Sequence, residues 1–235
     1  MKFNAPTTAK LLPLSLLGAA FLTLALTSPG AWKPLFDGKT TTGWHSYLKK
    51  DASGWRVENG TLTTEGKGGD LVTDQEYGDF DLEFDFKVQP KGNSGVIYKV
   101  IESPEFDQPY KSGPEFQVID DKGYEWKVDG KVQKLSDKQL TGASYDVLPP
   151  NDLSVVKPAG EWNKGRIVVK DNHVEHFLNG KKVVDYHYGS PAWKAMVAKS
   201  KFATWKYAEA HAKGRISLQG HGDVAWYRNL RIREL

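Results

Sequence analysis

Side chains that can donate or accept a proton near neutral pH are spread over widely separated stretches of this 235-residue chain. One stretch, "HVEHFL", carries His173, Glu175 and His176 close together. Elsewhere, Glu115 lies in "PEFQVID" and His221 lies in "LQGHG". Carboxyl and imidazole groups are the usual general acids and bases of enzymes once their surroundings have adjusted the pKa. The chain therefore has the residue types for proton transfer, provided that the fold brings some of them together.

The elements that must position these residues are strands. The stretch "DLEFDFKV" alternates acidic or basic residues with apolar ones over residues 81–88, as expected of an antiparallel strand with one buried face. Several further stretches alternate in the same way between Gly-, Asn- and Asp-rich turns. Only residues 190–202 have a helical pattern, with Ser190 as N-cap and Pro191 in the first turn. The sequence predicts an all-β fold, an antiparallel β-sandwich of the jelly-roll type with one short helix near residues 190–202.

Alternation also predicts which side chains share a face, because neighbouring residues of a strand point to opposite sides of the sheet. In "PEFQVID", Phe116 and Val118 are the apolar pair, so Glu115 and Gln117 are expected to project together from the other face. The same reasoning places Val96, Tyr98 and Val100 on one side of their strand and gives further polar-face candidates: Lys99, Glu175, Phe177, Arg215, Ser217 and Gln219, with His221 just past its strand. One such face is an ordinary solvated exterior, but several that converge would form a binding cleft.

Asn179 and Gly180 separate two strand-like stretches, which is the signature of a β-hairpin closed by a type I′ turn. Within this hairpin, His176 has the parity of Val174 and Leu178, which favours a core histidine that is hydrogen-bonded inside the sandwich. A bulge, or a position at the rim, would instead turn its ring toward the polar face. Both interpretations stay open on the sequence alone.

Composition excludes several classes of function. The chain has no cysteine, which excludes disulfides, thiolate nucleophiles, Cys-ligated metals and a lipidated cysteine. Its formal charge of +3 comes from 32 basic and 29 acidic residues, and these are interspersed, so no basic patch for nucleic acid is expected. Eight tryptophans and ten tyrosines supply core residues and, in sandwiches that bind sugars, stacking platforms.

The N-terminal 30 residues have the pattern of a secretory signal peptide. Lys2 and Lys10 precede an apolar run over residues 11–26, which ends in the small and turn-prone "TSPGA". A membrane anchor would need roughly 18 or more apolar residues, so cleavage is favoured over retention. We therefore expect residues 1–30 to be removed and residues 31–235 to form one domain. The expected location is periplasmic or secreted, without membrane attachment.

A series of short motifs follows in order from residue 35 to residue 232. These are "LFDGKTTTGW" (35–44), "GNSGVIYKV" (92–100), "GPEFQVIDD" (113–121), "GASYDVLPP" (142–150), "GEWNKGRIVV" (160–169), "VEHFLNGKKVVDY" (174–186), "SKF" (200–202) and "GRISLQGHGDVAWYRNLRI" (214–232). In number, order and spacing they resemble the 3-keto-disaccharide hydrolase domain family, whose fold is a concanavalin A-like lectin/glucanase sandwich. The resemblance covers nearly all of residues 31–235.

The resemblance implies a reaction on a sugar already oxidised to a ketone at C3. The ketone makes the C2 proton acidic, so a base can remove it and the glycosidic oxygen at C1 can leave by elimination. Addition of water then completes a net hydrolysis of a 3-keto-glycoside. Such a site needs a base, an electrophile at the ketone oxygen and an acid, not the paired carboxylates of ordinary glycosidases. It also implies a functional link to a sugar 3-dehydrogenase that supplies the ketone.

The resemblance also implies roles for individual residues. The family pattern is matched at Asn93, Ser94, Gly95, Glu115, Gln117, Asp120, Glu175, His176, Asn179, Gln219, His221, Gly222 and Arg228. Either Glu115 or His221 is expected to be the C2 base and the other the acid, with Lys99 at the enolate oxygen. The expected substrate contacts are Asn93, Gln117, Glu175, Gln219 and Arg228, with Phe177 and Trp226 stacking on the sugar ring.

Two departures from the family pattern bear on these roles. Lys99 stands where many members have arginine, so it lacks a forked, bidentate donor. Gly220 stands where many members have aspartate, so no carboxylate from that position orients His221. A divalent metal held through Glu115, His176 or His221, with Asp120 as further support, is an alternative electrophile, but no known metal-ligand spacing is present. No cofactor is therefore assigned from the sequence.

Two other functions fit the same sandwich, because a fold does not fix an activity. One is a non-catalytic, lectin-like carbohydrate-binding module, and the other is a structural cell-surface domain. In these interpretations Glu115 and Lys99 are solvated surface residues and residues 93–95 form only a turn. Elimination needs a titratable base, whereas a lectin can bind through amides and aromatic rings, so activity on a 3-keto-glycoside discriminates between them.

Overall fold

The computed structural model describes residues 1–2 and 30–235, so nearly all of the predicted signal peptide lies outside the described residues. Within them, two antiparallel sheets pack against each other around a shared apolar core, as predicted for an all-β sandwich. None of the helices described is both long and apolar enough to cross a membrane.

Fifteen short strands build the described part of the chain. They are β1 (Lys33–Pro34), β2 (Trp44–Ser46), β3 (Trp55–Glu58), β4 (Thr61–Glu65), β5 (Leu71–Thr73), β6 (Phe80–Val88), β7 (Asn93–Val100), β8 (Glu115–Ile119), β9 (Trp126–Val128), β10 (Lys131–Gln133), β11 (Asn163–Lys170), β12 (His173–Leu178), β13 (Lys181–His187), β14 (Arg215–Leu218) and β15 (Val224–Glu234). The helical elements are α1 (Pro191–Val197) and single 3-10 turns at Pro109–Lys111, Asp137–Gln139 and Lys206–Ala208.

These strands form two main sheets and a separate hairpin. The larger sheet has the order β13-β12-β11-β6-β15-β4-β3, and β1 adds to β15. The smaller sheet has the order β2-β5-β14-β7-β8. Strands β9 and β10 pair only with each other. Because β7, β8 and β14 are neighbours, the motifs around Asn93, Glu115 and Gln219 come together although they are far apart in the sequence.

The core forms where the apolar faces of the two sheets meet. Along β6, Leu82, Phe84 and Phe86 are buried, and the charged residues between them point outward, as the alternation predicts. The ring of Phe84 meets the ring of Phe116, from β8 of the smaller sheet, edge to face at 5.4 Å between centroids. Strand β8 is thereby fixed in depth and orientation, and its other face is turned away from the core.

The predicted hairpin is present as β12 and β13. Leu178 pairs with Lys181, and Asn179 and Gly180 between them have φ values of 49° and 87°, as a type I′ turn requires. The pairing shifts by one residue between His176 and Phe177, but the extra residue lies on β13. The bulge therefore leaves the parity of His176 unchanged, and its ring stays in the core.

His176 is a fully buried and neutral residue. Its Nδ1 donates to the carbonyl oxygen of Gly142 at 3.0 Å, and its Nε2 accepts from the Tyr98 hydroxyl at 2.8 Å. Loss of hydration lowers the pKa of His176 to about 4, because burial disfavours the charged ring. The ring thus ties the core to Gly142, where a loop that carries site residues begins.

The helix is shorter than the sequence predicts. Ser190 is its N-cap, with Oγ accepting from the backbone N–H of Trp193 at 3.1 Å, as expected. Helix α1 ends at Val197. Beyond it the backbone bonds span three residues, and the Val197 carbonyl accepts from both the N–H and the hydroxyl of Ser200, at 2.9 and 2.7 Å. Residues 198–205 consequently form turns, and these turns reach the smaller sheet.

Candidate active site

A cleft of about 200 Å³ lies on the outer face of the smaller sheet. It is lined by Asn93, Tyr110, Glu115, Gln117, Trp126, Tyr145, Lys201, Trp205, Gln219 and His221. The sequence predicts five of these residues in a common site: Asn93, Glu115, Gln117, Gln219 and His221. The cleft is smaller than the roughly 300–1,000 Å³ of pockets for drug-sized ligands, which suits one sugar ring.

The floor of the cleft follows from the register of β7, β8 and β14. Gly95 pairs with Gln117, and Ile97 pairs with Glu115. The backbone N–H of Gln219 donates to the Gly95 carbonyl at 2.9 Å. Gln219, Gln117 and Glu115 therefore lie side by side on one face, as the alternation of β8 predicts.

The floor is buried but not saturated with hydrogen bonds. Asn93, Gln117 and Gln219 are all buried. The Asn93 Oδ1 atom has no hydrogen-bond partner among the described residues. Buried polar atoms in folded proteins are nearly always paired, so this acceptor is an exception in the lining of the cleft.

Glu115 is the central acid of the floor. Its side chain lies over Gly95, where an added methyl group would come within 2.1 Å of the Glu115 Oε1 atom. Burial raises the pKa of Glu115 to about 8. The nearby positive charge of Lys201 opposes this rise, and the negative charge of Asp70 adds to it. No hydrogen bond contributes to this shift. The Glu115 carboxyl is thus mainly protonated at neutral pH and able to donate.

Asp70 is a second buried carboxyl close to this floor. Its Oδ1 accepts from the backbone N–H of Gly220 at 3.0 Å, and its Oδ2 lies 3.5 Å from the Ser217 hydroxyl. Burial raises the pKa of Asp70 to about 7 despite these bonds. Asp70 therefore holds the segment that leads to His221, and its charge opposes the ionisation of Glu115.

One wall of the cleft is a loop that pairs with β8 like an extra strand. The N–H of Tyr145 donates to the Glu115 carbonyl at 3.0 Å, and the N–H of Gln117 donates to the Ala143 carbonyl at 3.1 Å. The Tyr145 ring is buried beside Glu115, and burial raises the pKa of Tyr145 to about 12. Its hydroxyl stays protonated and can act as a hydrogen-bond donor.

Lys201 supplies the cation of the cleft. The turn after α1 is anchored where the Lys201 N–H donates to Asp146 Oδ2 at 2.7 Å. The Lys201 Nζ lies 4.3 Å from the centre of the Tyr145 ring and 5.8 Å from that of Tyr110, as in cation–π contacts. Partial desolvation lowers the pKa of Lys201, while the charge of Glu115 opposes that shift. The ammonium group thus faces the cleft among aromatic rings.

His221 stands at the mouth of the cleft. Its side chain reaches solvent, but the cleft walls crowd it, and this desolvation lowers its pKa, with Asp223 acting in the opposite direction. The Tyr124 ring meets it edge to face at 6.5 Å. His221 is therefore a neutral imidazole at neutral pH and can accept a proton. A neutral base, a protonated acid and an ammonium group share this one cleft.

Comparison with known proteins agrees with the predicted family and fold. Residues 31–233 match the family described as the 3-keto-alpha-glucoside-1,2-lyase-like domain. A 3-keto-disaccharide hydrolase of Bacteroides thetaiotaomicron is 33% identical over 229 residues, which cover 86% of this chain and 77% of that protein. This chain belongs to the 3-keto-alpha-glucoside-1,2-lyase-like family.

Two crystal structures, both of candidate glycosyl hydrolases of Parabacteroides distasonis, support the fold. One superposes with a TM-score of 0.82 at 36% identity, over 88% of this chain and 94% of that chain. The other gives a TM-score of 0.66 at 31% identity, over 87% of this chain and all of that chain. The β-sandwich is thus shared with solved structures over nearly the whole family domain.

Lys99 does not take the position that the sequence predicts for it. Strand β7 bulges where it pairs with β14, and Lys99 has a φ of 57°. Its Nζ donates to the Ala212 carbonyl at 2.9 Å and lies outside the cleft. The same bulge puts Val100 with Ile97 on the outer face instead of with Val96 in the core. Lys201 provides the cation expected from Lys99.

Four further predicted contacts lie on the outer face of the larger sheet, because β12 and β15 belong to that sheet. Glu175 binds Lys182 at 3.0 Å, and the Phe177 ring is covered by the Arg166 guanidinium at 5.0 Å. Trp226 lies against Lys87, and Arg228 pairs with Asp85 at 3.3 Å. The expectation that Glu175, Phe177, Trp226 and Arg228 share the cleft is therefore wrong. Alternation predicts the face of a strand, but not which sheet the strand joins.

Of the four predicted metal ligands, Glu115 and His221 line the cleft, but His176 and Asp120 do not. Both ring nitrogens of His176 are engaged in the core. The Asp120 carboxylate accepts from the N–H groups of Lys91 and Gly123 and so organises a turn. Among the described residues, the grouping with metal-like spacing is His173, Glu175 and Asp185, whose ligand atoms lie within 4.8 Å of one another. It is on the larger sheet, and Lys182 already forms ion pairs with both of its carboxylates.

The sequence contains a partial signal for the site residues that strand patterns miss. Lys201 lies in "SKF" and Tyr145 in "GASYD", and both motifs contribute to the family resemblance. Tyr110, Trp126 and Trp205 come from loops or the start of a short hairpin, where no periodicity indicates direction. Asp70 is adjacent to a strand of mostly apolar residues and has no pattern that would distinguish it from a turn aspartate.

Proposed function

We propose that this protein is a carbohydrate-active enzyme that cleaves 3-keto-glycosides, including 3-keto-disaccharides, by elimination followed by hydration. The observation that carries the proposal is the unpaired, protonated Glu115 carboxyl in a cleft beside an ammonium group and a neutral imidazole. Membership of the family and the name of the Bacteroides relative support the same substrate class.

In this proposal His221 removes the proton from C2. Its neutral ring has a free lone pair at neutral pH because desolvation lowers its pKa. The electron pair of the C2–H bond forms a C2–C3 double bond, and negative charge develops on the C3 oxygen. A base at the mouth of the cleft suits this role, since C2 is next to the carbon that carries the leaving group.

Lys201 and Glu115 stabilise the enolate oxygen. The ammonium group of Lys201 supplies positive charge, and the protonated Glu115 carboxyl donates a hydrogen bond. Such donors act most strongly where charge develops in a site shielded from water. Glu115 thus remains the acid of the site, but it serves the ketone oxygen instead of the leaving group.

The electron pair on the enolate oxygen then re-forms the C3 carbonyl. The C2–C3 double-bond pair moves to make a C1–C2 double bond, and the bond from C1 to the glycosidic oxygen breaks. The His221 imidazolium gives its proton to that oxygen. In the second half-reaction, neutral His221 takes a proton from water as the water oxygen adds to C1, and the proton returns to C2. The net change is hydrolysis of the glycoside with the ketone retained.

Amides and rings of the cleft hold the sugar. The side-chain amides of Gln117, Gln219 and Asn93 offer hydrogen bonds to hydroxyl groups from the floor. Trp126 and Trp205 line the walls and replace Phe177 and Trp226 as the expected stacking surfaces.

A pair of chromogenic substrates tests the proposal. Purified protein is incubated with an aryl 3-keto-glucoside and with the matching unoxidised glucoside. We expect release of the aryl group from the ketone alone. Release from the unoxidised substrate would contradict the mechanism, and release from neither, together with sugar binding, would favour the lectin-like alternative.

The pH profile of kcat/KM tests the roles of the two acid–base residues. Activity should fall at acidic pH as His221 becomes protonated, below the ordinary histidine pKa of about 6.5. It should also fall above a pH of about 8 as Glu115 ionises. The pKa of Lys201 is also lowered, so loss of its proton is another source of an alkaline limb. Lys201→Arg keeps a cation at every pH, so a falling limb that persists near pH 8 in this variant belongs to Glu115. A rising limb near 8 would instead make Glu115 the base.

Export is part of the same proposal. A signal peptide over residues 1–30 would deliver the enzyme to the periplasm or the medium, where a sugar 3-dehydrogenase would have to supply its ketone substrate. Mass spectrometry of the mature protein from a periplasmic fraction tests this. A chain that still begins at Met1 would contradict it.

A further inference from the structure

A second and more open groove adjoins the cleft. It has a volume of about 400 Å³ and is lined by Lys91, Tyr124, Glu125, Lys127, His221, Gly222 and Asp223. His221 is the residue that lines both cavities. The Asp223 carboxylate accepts from the backbone N–H of Asn93, in the cleft floor, at 3.0 Å. The two cavities therefore adjoin at His221.

Residues 125–127, at the start of β9, contribute to both cavities. Trp126 lines the cleft, whereas Glu125 and Lys127 line the groove, as expected when successive side chains alternate. Lys91 and Lys127 each form an ion pair with Glu125. One short segment thus shapes both cavities.

The chemistry of the groove is polar and balanced in charge. Two ammonium groups and two carboxylates provide donors and acceptors, and the Tyr124 ring provides an apolar surface next to His221. Each ammonium group and carboxylate keeps unused donors or lone pairs beyond its ion pair. A neutral ligand with several hydroxyl groups can bond to these, whereas a charged ligand would meet groups of its own sign. An apolar aryl group would leave most of the polar lining without partners.

We propose that this groove is the subsite for the leaving group, and that it selects a hydroxylated leaving group such as a second sugar. This inference rests on the proposed function. The 3-keto ring occupies the cleft, the second sugar lies across Tyr124 between Lys91 and Lys127, and His221 stands at the glycosidic oxygen. That position suits a residue that returns a proton to the departing oxygen.

Two substrates of different reach test the subsite. A 3-keto-disaccharide fills both cavities, whereas methyl 3-keto-glucoside has a leaving group too small to enter the groove. In the double variant Glu125→Ala, Lys127→Ala we expect kcat/KM for the disaccharide to fall about tenfold, as for the loss of two polar contacts. The kcat/KM for methyl 3-keto-glucoside should stay within twofold of that of the unaltered enzyme. Lys131→Ala, on the partner strand of the same hairpin and outside both cavities, should change neither.

The outcomes separate the two proposals. An equal fall on both substrates, or no fall on either, would overturn the leaving-group subsite while leaving the elimination mechanism standing. If the unaltered enzyme cleaves neither substrate, the proposed reaction fails, and binding then decides the groove by itself.

A binding measurement needs no turnover. In an amide NMR titration of the ¹⁵N-labelled protein with glucose, used as a free sugar in place of the leaving group, we expect shifts at residues 123–127 and 221–223. The double variant should weaken these shifts at least several-fold. Shifts confined to the cleft strands, or shifts unchanged in the double variant, would overturn the proposal.

Discussion

The outer faces of the two sheets carry similar types of charged and polar residue, but the two faces differ in whether these residues have bonding partners. On the larger sheet the charges are paired. Asp81 accepts from Arg166 and Arg233, each at 2.7 Å, and Glu83 accepts from Arg231 at 2.6 Å. On the smaller sheet Glu115 is buried without a charged partner in contact, and a polar atom of Asn93 has no partner among the described residues.

This difference separates structure from function. Surface ion pairs are worth little each, but a carboxylate held in one stays ionised and is a poor proton donor. A buried carboxyl whose pKa is raised, in contrast, costs stability and persists where chemistry needs it. For proton transfer, the polar face that matters is therefore the one whose acid lacks a charged partner, not the one with more charge.

The strongest test of the comparison exchanges oxygen for nitrogen at one glutamate of each face. Glu115→Gln should lower kcat/KM on a 3-keto-glucoside by about 10²–10⁴-fold, because it removes the donor at the developing enolate. Glu175→Gln, on the larger sheet, should stay within twofold. Steady-state kinetics with circular dichroism as the folding control measures both. Equal activity of the two variants would refute the assignment of the cleft.

The two lysines sharpen the comparison further. Lys201→Met should reduce kcat by about 10²-fold with little loss of stability, since its charge acts on the reaction. Lys99→Met should retain kcat but lower the melting temperature, because it leaves the Ala212 carbonyl without its donor. A loss of kcat confined to Lys99→Met would restore the role that the sequence indicates for Lys99.

Gly95 and Gly78 form a matched pair for the position of Glu115. An alanine methyl at Gly95 would come within 2.1 Å of Glu115 Oε1, whereas at Gly78 the nearest atom is 3.4 Å away. Since a side chain can give way, Gly95→Ala should fold with a displaced carboxyl and lose roughly 10²-fold in activity. Gly78→Ala should be neutral. Activity assays and thermal melts are the measurements, and a fully active Gly95→Ala would show that the location of this carboxyl is unimportant.

The smallest expected effect is on stability. Between its ordinary pKa of 4.5 and about 8, Glu115 holds a proton in the folded chain but not in the unfolded one. The folded state then binds more protons, so the free energy of unfolding falls as pH rises through this interval. Glu115→Gln should remove part of that fall, on the order of a few kcal/mol, and Asp70 should supply another part. Urea unfolding of the unaltered protein and of Glu115→Gln at pH 5 and pH 8 tests this. If the free energy of unfolding changes equally with pH in both proteins, the prediction is contradicted.

Sequence patterns predict the sandwich well because alternation and turn chemistry are local properties. They predict the polar face that carries Glu115, Gln117 and Gln219, and these residues come together because β7, β8 and β14 are neighbours in the sheet. They fail for Glu175 and Trp226, since choice of sheet depends on long-range pairing. They fail for Lys99 because a one-residue bulge reverses every later side chain in a strand. Lys201 lies in a turn after α1, where direction follows from tertiary packing and not from spacing.

The loop at residues 142–145 has a consequence for solubility as well. Its N–H and carbonyl groups bond to those of β8, the last strand of the smaller sheet. Bare sheet margins tend to recruit strands from other molecules and so seed aggregation. The segment that presents Tyr145 thus also shields this margin, so deleting it would remove an aromatic wall and expose a template for self-association at once.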